Sequence, residues 1–328
     1  MQPRIPFVYL SSLPYSGSTL LSFLVNAHPE IASVGEMTGL TPEVVPDEYL
    51  CSCGERIREC AFWEKVTREM QAQGSDFDPT DFRTRFELGS TPAMHRLRTG
   101  SLRGNLLEVI RDGAFRMWPG HQMAMRELGQ RNERLARSIL RVTGKRVFFD
   151  AAKYHMAIRY LTLFSQVDLK VVHLIRDVRR ATNSLMARGY TLRGAVTQWL
   201  RGNRNIRRQL RHVAPEKRLL IRYEDLCTDT QGVLSRLFEF CGVDSDVRID
   251  EFRGLESHIV GNKMRLSDTS TITLDQRWRT NLSASQLREI DSMVGNLHEQ
   301  YGYTRVTDLS DDNCPARPLE AHRPLLAS

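Results

Sequence analysis

The segment Phe7-Val8-Tyr9-Leu10-Ser11-Ser12-Leu13-Pro14-Tyr15-Ser16-Gly17-Ser18-Thr19-Leu20-Leu21-Ser22-Phe23-Leu24 passes from an apolar run, through a loop rich in hydroxyls, into a helical pattern. A strand that turns through glycine into a helix aims several backbone N–H groups at one point, and the helix dipole adds positive potential there. The loop Ser12 to Thr19 therefore reads as a cradle for a phosphate-like anion. It lacks the G-x-x-x-x-G-K-[ST] pattern of nucleotide triphosphatases, because no Lys follows Gly17. Backbone groups and hydroxyls are expected to hold the anion, with the missing positive charge supplied from elsewhere in the chain.

Outward from this loop, Phe7 to Ser11, Arg146 to Asp150, Lys170 to Ile175 and Arg218 to Arg222 are short runs rich in β-branched or aromatic residues, each followed by a helical pattern. Such alternation predicts an α/β fold, a central parallel sheet flanked by helices in three layers. Helices are predicted at Thr19 to Ala27, Gly104 to Trp118, His121 to Val142, Tyr154 to Phe164, Arg179 to Arg188, Leu192 to Val213 and Thr230 to Cys241. A last one starts near Ser283, which forms a capping box with Gln286. Well over a hundred residues separate the first two predicted strands, too many for a simple crossover. Residues 42–142 are read as a mostly helical insertion, irregular around Gly74 to Pro92, that covers the strand ends. Residues 1–307 are expected to form one domain, and the proline-bearing tail 308–328 is expected to be disordered.

The chain has 328 residues, is 41% hydrophobic and carries a formal charge of +7. Its apolar runs fall far short of a membrane span, and Met1-Gln2-Pro3-Arg4 leads straight into a strand rather than a signal-peptide core, so a soluble cytoplasmic protein is expected. Between Arg96 and Arg146 stand eleven Arg and one Lys against Glu108, Asp112, Glu127 and Glu133. This basic segment suits an anionic ligand, an acidic acceptor or nucleic acid, and equally a set of solvated helix faces. Cys51, Cys53 and Cys60 follow a C-x-C-x6-C spacing that could supply three zinc thiolates or form a local disulfide, with no fourth ligand evident nearby.

A second anion site is suggested at Val171-Val172-His173-Leu174-Ile175-Arg176-Asp177, where an apolar strand ends in arginine before a helix bearing Ser184. A guanidinium at a strand's C-terminal edge and a hydroxyl two turns into the next helix can converge on one phosphate. Open α/β sheets bind ligands at that edge.

With both sites present, the chain resembles the sulfotransferases that use 3′-phosphoadenosine-5′-phosphosulfate (PAPS). Tyr15, Ser16, Gly17, Ser18, Thr19 and Leu20 are similar to that family's 5′-phosphosulfate loop, and Arg176 with Ser184 matches its R-x7-S 3′-phosphate pair. The resemblance continues through Tyr223-Glu224-Asp225-Leu226, the helix ending Phe240-Cys241-Gly242, the segment His258 to Arg265 and the stretch Trp278 to Tyr303. Ala27-His28-Pro29, Gly35-Glu36 and Arg176-Asp177-Val178-Arg179 look most like the tyrosylprotein and bacterial members.

The resemblance implies a P-loop-like fold, PAPS as donor and a hydroxyl, or less readily an amine, as acceptor: a sugar, lipid, peptide or small molecule. It implies that Glu36 stands at the catalytic-base position and that Lys153, just after the strand ending at Asp150, lies near the bridging oxygen or acceptor. Tyr223, Asn262, Lys263 and Arg265 are the implied surroundings of the adenosine and 3′-phosphate. Tyr15 departs from the family, which usually has Lys or Arg there; Lys153 or an arginine of the insertion is expected to supply that charge. His28, His121 and His155 are weaker base candidates. The transfer scheme requires no metal, and no nucleic-acid partner is expected from it. Two other readings stay open: a P-loop-like kinase, opposed by the missing lysine and the lack of a Mg²⁺-binding pattern, and a non-catalytic anion or nucleic-acid binder using the basic segment.

Overall fold

Strand β1 (Ile5–Ser12) alternates its side chains between two cores, Phe7 and Tyr9 toward one, Val8 and Leu10 toward the other, which places it in the middle of a covered sheet. The residues described are 3–40, 45–86, 105–253, 257–261, 263–267 and 269–307 of a computed structural model, apart from the side chains of 105–108, 112 and 116. The sheet has five parallel strands in the order β2-β3-β1-β4-β5, with β2 at Ile31–Ser33, β3 at Val147–Asp150, β4 at Val167–Ile175 and β5 at Arg218–Arg222. The four predicted strands are present, and β4 begins earlier than its sequence pattern suggests. Strand β2 is an addition: Ile31, Ala32 and Ser33 pair with Val147, Phe148 and Phe149 at one edge.

On one face pack α1 (Ser18–Asn26) and α9 (Thr230–Cys241), whose Leu20, Leu21, Phe23, Leu24, Val233, Leu234 and Phe238 meet Val8, Val172 and Leu174. The other face is covered by α2 (Ala61–Ala72), α4 (Pro119–Thr143) and α5 (Ala157–Phe164). Trp63, Val66, Met70, Leu135 and Ile139 lie in one continuous core with Phe7, Tyr9 and Phe148, so these helices of the predicted insertion form a layer of the domain itself. Helix α3 (Asn105–Arg116) precedes α4. A third core joins α6 (Val178–Met186), α7 (Leu192–Leu210) and the C-terminal helices α10 (Trp278–Asn281), α11 (Ala284–Val294) and α12 (Leu297–Gln300) through Val178, Trp199, Trp278 and Ile290. The short α8 (Tyr223–Thr228) links β5 to α9. The expected capping box is formed: Ser283 Oγ accepts from the Gln286 N–H at 3.3 Å, while the Gln286 side chain accepts from the Ser283 N–H at 2.8 Å.

The chain leaves β1 toward β2 and β3 on one side, then crosses to β4 on the other. This creates a topological switch beside β1, and the loops after β1 and β4 open from it. The tail 308–328 and residues 87–92 of the irregular stretch lie outside the described residues.

Candidate active site

The loop after β1 is shaped by two residues with left-handed backbone, Tyr15 at φ 64° and Gly17 at φ 92°. Gly17 is the N-cap of α1 and supplies no side chain to the helix start, which leaves the first-turn N–H groups of Ser18, Thr19 and Leu20 for a ligand. Glycine is required there for space as well: a Cβ would stand 2.6 Å from Cε2 of the Tyr223 ring. Ser16, Ser18 and Thr19 are buried around this turn, and Ser12 Oγ at the end of β1 is buried without a hydrogen-bond partner among the described residues.

Arg176 follows the end of β4, the strand paired beside β1, with Ser12 opposite Leu174. Its Nη1 donates to the Tyr15 carbonyl at 2.7 Å and to Ser184 Oγ at 3.3 Å, and its guanidinium lies 4.8 Å from the Tyr223 ring centroid. Thus the two predicted anion sites are physically joined. The Arg176 Nε is buried and without a partner among the described residues, so the guanidinium keeps an unspent donor. Trp199 Nε1 fixes the Arg176 carbonyl at 2.8 Å. Asp177 caps α6 by accepting from the Arg179 N–H at 2.7 Å, and Glu224 accepts from the Asp177 N–H at 3.1 Å while bonded to the Tyr303 hydroxyl at 2.8 Å. The Tyr223-Glu224-Asp225-Leu226 motif therefore braces the arginine turn from behind. Burial pushes the Tyr223 hydroxyl and the Glu224 carboxyl above their ordinary ranges.

Glu36 and Lys153, chosen separately from the sequence, form an ion pair, and both are largely covered. Asp150 positions them: its Oδ1 accepts from the Met37 N–H at 3.0 Å and the Ala152 N–H at 2.9 Å, one residue from each partner. Burial pushes Asp150 up to about 7, opposed by these two N–H donors and reinforced by the Glu36 charge. The Glu36 N–H donates to the Val260 carbonyl at 3.1 Å, tying this end of the site to residues 257–261. A Cβ on Gly261 would lie 3.4 Å from Glu36 Oε1 and 3.7 Å from Thr19 Oγ1, so Gly261 sits between the pair and the helix start.

The remaining predicted residues are placed less directly. Arg265 donates to the Leu50 carbonyl at 2.9 Å and the Gly261 carbonyl at 3.0 Å, with its guanidinium 3.9 Å from the Tyr49 ring centroid, so it serves the loop framework. Lys263 is exposed at the start of a 3₁₀ turn, and Asn262 lies outside the described residues. His28 accepts from the Glu30 N–H through Nδ1 at 3.1 Å and meets the Asp244 carbonyl through Nε2 at 3.0 Å, a structural arrangement rather than that of a base. A cavity of about 340 Å³ bordered by Phe115, His121, Gln122, Arg126, Arg159 and Tyr160 contains none of the predicted donor-site residues.

Two further residues, Arg188 and Asp275, border the site. Arg188 places its guanidinium 3.7 Å from the Tyr15 ring centroid and donates to the Ser184 carbonyl at 2.9 Å, so a cation does stand beside the unusual tyrosine. Asp275 Oδ2 lies 3.7 Å from Arg176 Nη2, and the hydrogen bond from Arg277 pulls its carboxyl down to about 2. Neither carried a spacing signal. Within the basic segment, Arg131 donates to the Phe82 carbonyl at 2.8 Å, Arg137 pairs with Glu133 at 2.8 Å, and Arg141 pairs with Glu69 at 3.4 Å. These three cations are thus engaged within the domain.

The Sulfotransferase family model matches residues 6–246. Protein-tyrosine sulfotransferase A of Caenorhabditis elegans is 22% identical over 313 residues, covering 91% of this chain and 67% of that protein. Among solved structures, the sulfotransferase domain of the Synechococcus PCC 7002 olefin synthase superposes with a TM-score of 0.49 at 20% identity, over 93% of this chain and 97% of that domain. The sulfotransferase domain from the curacin biosynthetic pathway gives 0.45 at 20% identity, over 89% and 98%. The matched region runs from the start of β1 past α9 and takes in the loop, the Glu36–Lys153 pair, Arg176 and Ser184: the chain belongs to the sulfotransferase family, enzymes that draw their sulfuryl group from PAPS.

Proposed function

We propose that this chain transfers a sulfuryl group from PAPS to an acceptor hydroxyl, with the donor's phosphosulfate at the loop Tyr15 to Leu20 and its 3′-phosphate at Arg176 and Ser184. The observation that carries this reading is the Arg176 guanidinium, which touches both the loop and Ser184 and whose buried Nε has no partner among the described residues. A bisphosphate is the kind of ligand such a two-ended, cation-linked pocket accommodates.

Sulfuryl transfer proceeds by in-line displacement: the bond from sulfur to the bisphosphate oxygen breaks as the bond to the acceptor oxygen forms. In this scheme the Glu36 carboxylate takes the acceptor's hydroxyl proton, and the Lys153 ammonium offsets the charge that develops on the leaving oxygen. In the ion pair seen here each holds the other; an acceptor hydroxyl entering between them would turn both to the chemistry. Arg188, over Tyr15, adds positive charge where the family usually has Lys or Arg. The similarity to a protein-tyrosine sulfotransferase makes a phenolic hydroxyl the first acceptor to test.

The test is transfer of labelled sulfate from PAPS into a cell extract, followed by product identification by mass. Stabilisation by 3′-phosphoadenosine 5′-phosphate (PAP) should exceed that by ATP with Mg²⁺. Glu36→Gln and Lys153→Ala should each lower turnover by about 10²–10⁴-fold while PAP affinity is retained. Stabilisation by ATP but not PAP, or full turnover in both variants, would overturn the assignment.

A further inference from the structure

Cys51, Cys53 and Cys60 are joined in space by His258, a residue that no local spacing connects to them. All four ligand atoms lie within 4.8 Å of one another. Cys60 Sγ is 3.3 Å from His258 Nδ1, Cys51 Sγ is 3.6 Å from the same nitrogen, and Cys53 Sγ is 3.6 Å from Cys60 Sγ. A tetrahedral zinc with Zn–S of about 2.3 Å and Zn–N of about 2.0–2.1 Å spaces its sulfurs about 3.8 Å apart and sulfur from nitrogen about 3.5 Å. Three edges of the tetrahedron are therefore already near their required lengths.

The surroundings are those of a built site. Gly54, at φ 92°, turns the chain directly after Cys53; its N–H donates to the Cys51 carbonyl at 3.0 Å, and the Cys51 N–H donates to the Glu55 carbonyl at 2.8 Å. This folds two sulfurs toward one side of a tight knuckle. Cys60 is the N-cap of α2, where the helix dipole favours a thiolate. The His258 ring stacks on Phe62 with centroids 4.3 Å apart and planes 2° from parallel, which fixes the imidazole. Ser52 Oγ donates to the Ser257 carbonyl at 2.7 Å and accepts from the Ile259 N–H at 2.7 Å, clamping the knuckle to the histidine's own segment.

From this we infer that Cys51, Cys53, Cys60 and His258 form a structural Zn²⁺ site of the Cys₃His type. Four protein ligands leave no open position, so the ion would be structural rather than catalytic. Binding replaces the thiol protons, which go to solvent, and gives the cluster one net negative charge. Arg265, hydrogen-bonded to the carbonyl of Leu50 just before Cys51, lies where it can offset that charge. The site's role follows from what it clips together: the 49–60 loop and residues 257–261, whose Val260 carbonyl holds the Glu36 N–H. A metal here would steady the catalytic carboxylate from behind without touching a reactant. The competing outcome is a disulfide between two of the three cysteines.

The test does not depend on sulfuryl transfer. Purified under reducing conditions with zinc supplied and then dialysed, the full chain should retain about one zinc per molecule by elemental analysis and native mass spectrometry. Titration of the apoprotein with Co²⁺ should give the thiolate-to-cobalt charge-transfer and tetrahedral visible bands. Chelation should lower Tm, and added zinc should restore it. Cys51→Ser, Cys60→Ser and His258→Asn should each lose the zinc, whereas Cys241→Ala should keep it. Should the ligand variants fail to fold, the Co²⁺ spectrum of the unaltered chain still decides. No retained zinc together with no charge-transfer band, or a mass loss of two hydrogens locating a disulfide among Cys51, Cys53 and Cys60 in protein isolated without oxidant, would overturn the inference.

Discussion

Replacing Asp150 by asparagine takes a titratable carboxyl from beneath the Glu36–Lys153 pair while keeping the oxygen that accepts from Met37 and Ala152. The folded-state value of about 7 against 3.8 for the free side chain is a difference of about 3 units. At about 1.36 kcal/mol per unit this amounts to stability on the order of 4 kcal/mol. Because the folded pKa is raised, the folded state binds more protons than the unfolded chain between about pH 4 and 7, so this contribution is fully present below about pH 4 and lost as pH rises through about 7. An asparagine at this position has no such charge to bury. The Asp150→Asn protein should therefore be the more stable one at about pH 8, by up to the order of 4 kcal/mol, and its advantage should shrink as pH falls toward 4. Asp150→Ala also lacks the charge but strips both N–H groups of their acceptor, so it should be less stable than Asp150→Asn by about 1–3 kcal/mol per group at every pH. Urea unfolding of the unaltered chain and the two variants across this pH range reads the differences directly. Parallel stability curves for the unaltered chain and Asp150→Asn would refute the account, since they would mean that the carboxyl titrates alike in folded and unfolded chains.

The donor site yields further tests. Arg176→Ala should weaken PAP binding by about 1.5–3 kcal/mol, the scale of hydrogen bonds to charged groups, and unchanged affinity in calorimetry would remove Arg176 from the site. Gly17→Ala puts a Cβ into the Tyr223 ring and asks alanine for a left-handed backbone that costs about 1–2 kcal/mol, so it should lower Tm and abolish stabilisation by PAP. Persistence of that PAP-induced shift would show that the loop does not hold the donor.

Much of the sheet was readable because β1, β3, β4 and β5 are apolar runs with helical patterns behind them, and burial on both faces leaves such runs nearly continuous. Strand β2 was not, since three residues carry no periodicity and Ile31–Ser33 becomes a strand only by pairing with β3. The site was legible where one local segment carried it: Arg176 and Ser184 stand eight residues apart on a strand end and the following helix. Glu36 and Lys153 could each be singled out, but their ion pair spans 117 positions and is a product of the fold. The same holds for His258, 198 positions from Cys60, and for Arg188, which in sequence is one more arginine near the end of a helix.

Arg176 grips the Tyr15 carbonyl and the Ser184 hydroxyl with the same nitrogen. On the proposed reading, the cation that recognises the 3′-phosphate also sets the shape of the loop meeting the sulfate, so the far end of the donor is wired to the reacting end. A donor without its 3′-phosphate would forfeit more than grip: with Arg176 unengaged, the loop would be less well organised and the loss would fall on turnover as well as on affinity. Selectivity for PAPS over shorter phosphosulfates would then be exercised at the chemical step, by an arginine that never contacts the sulfur.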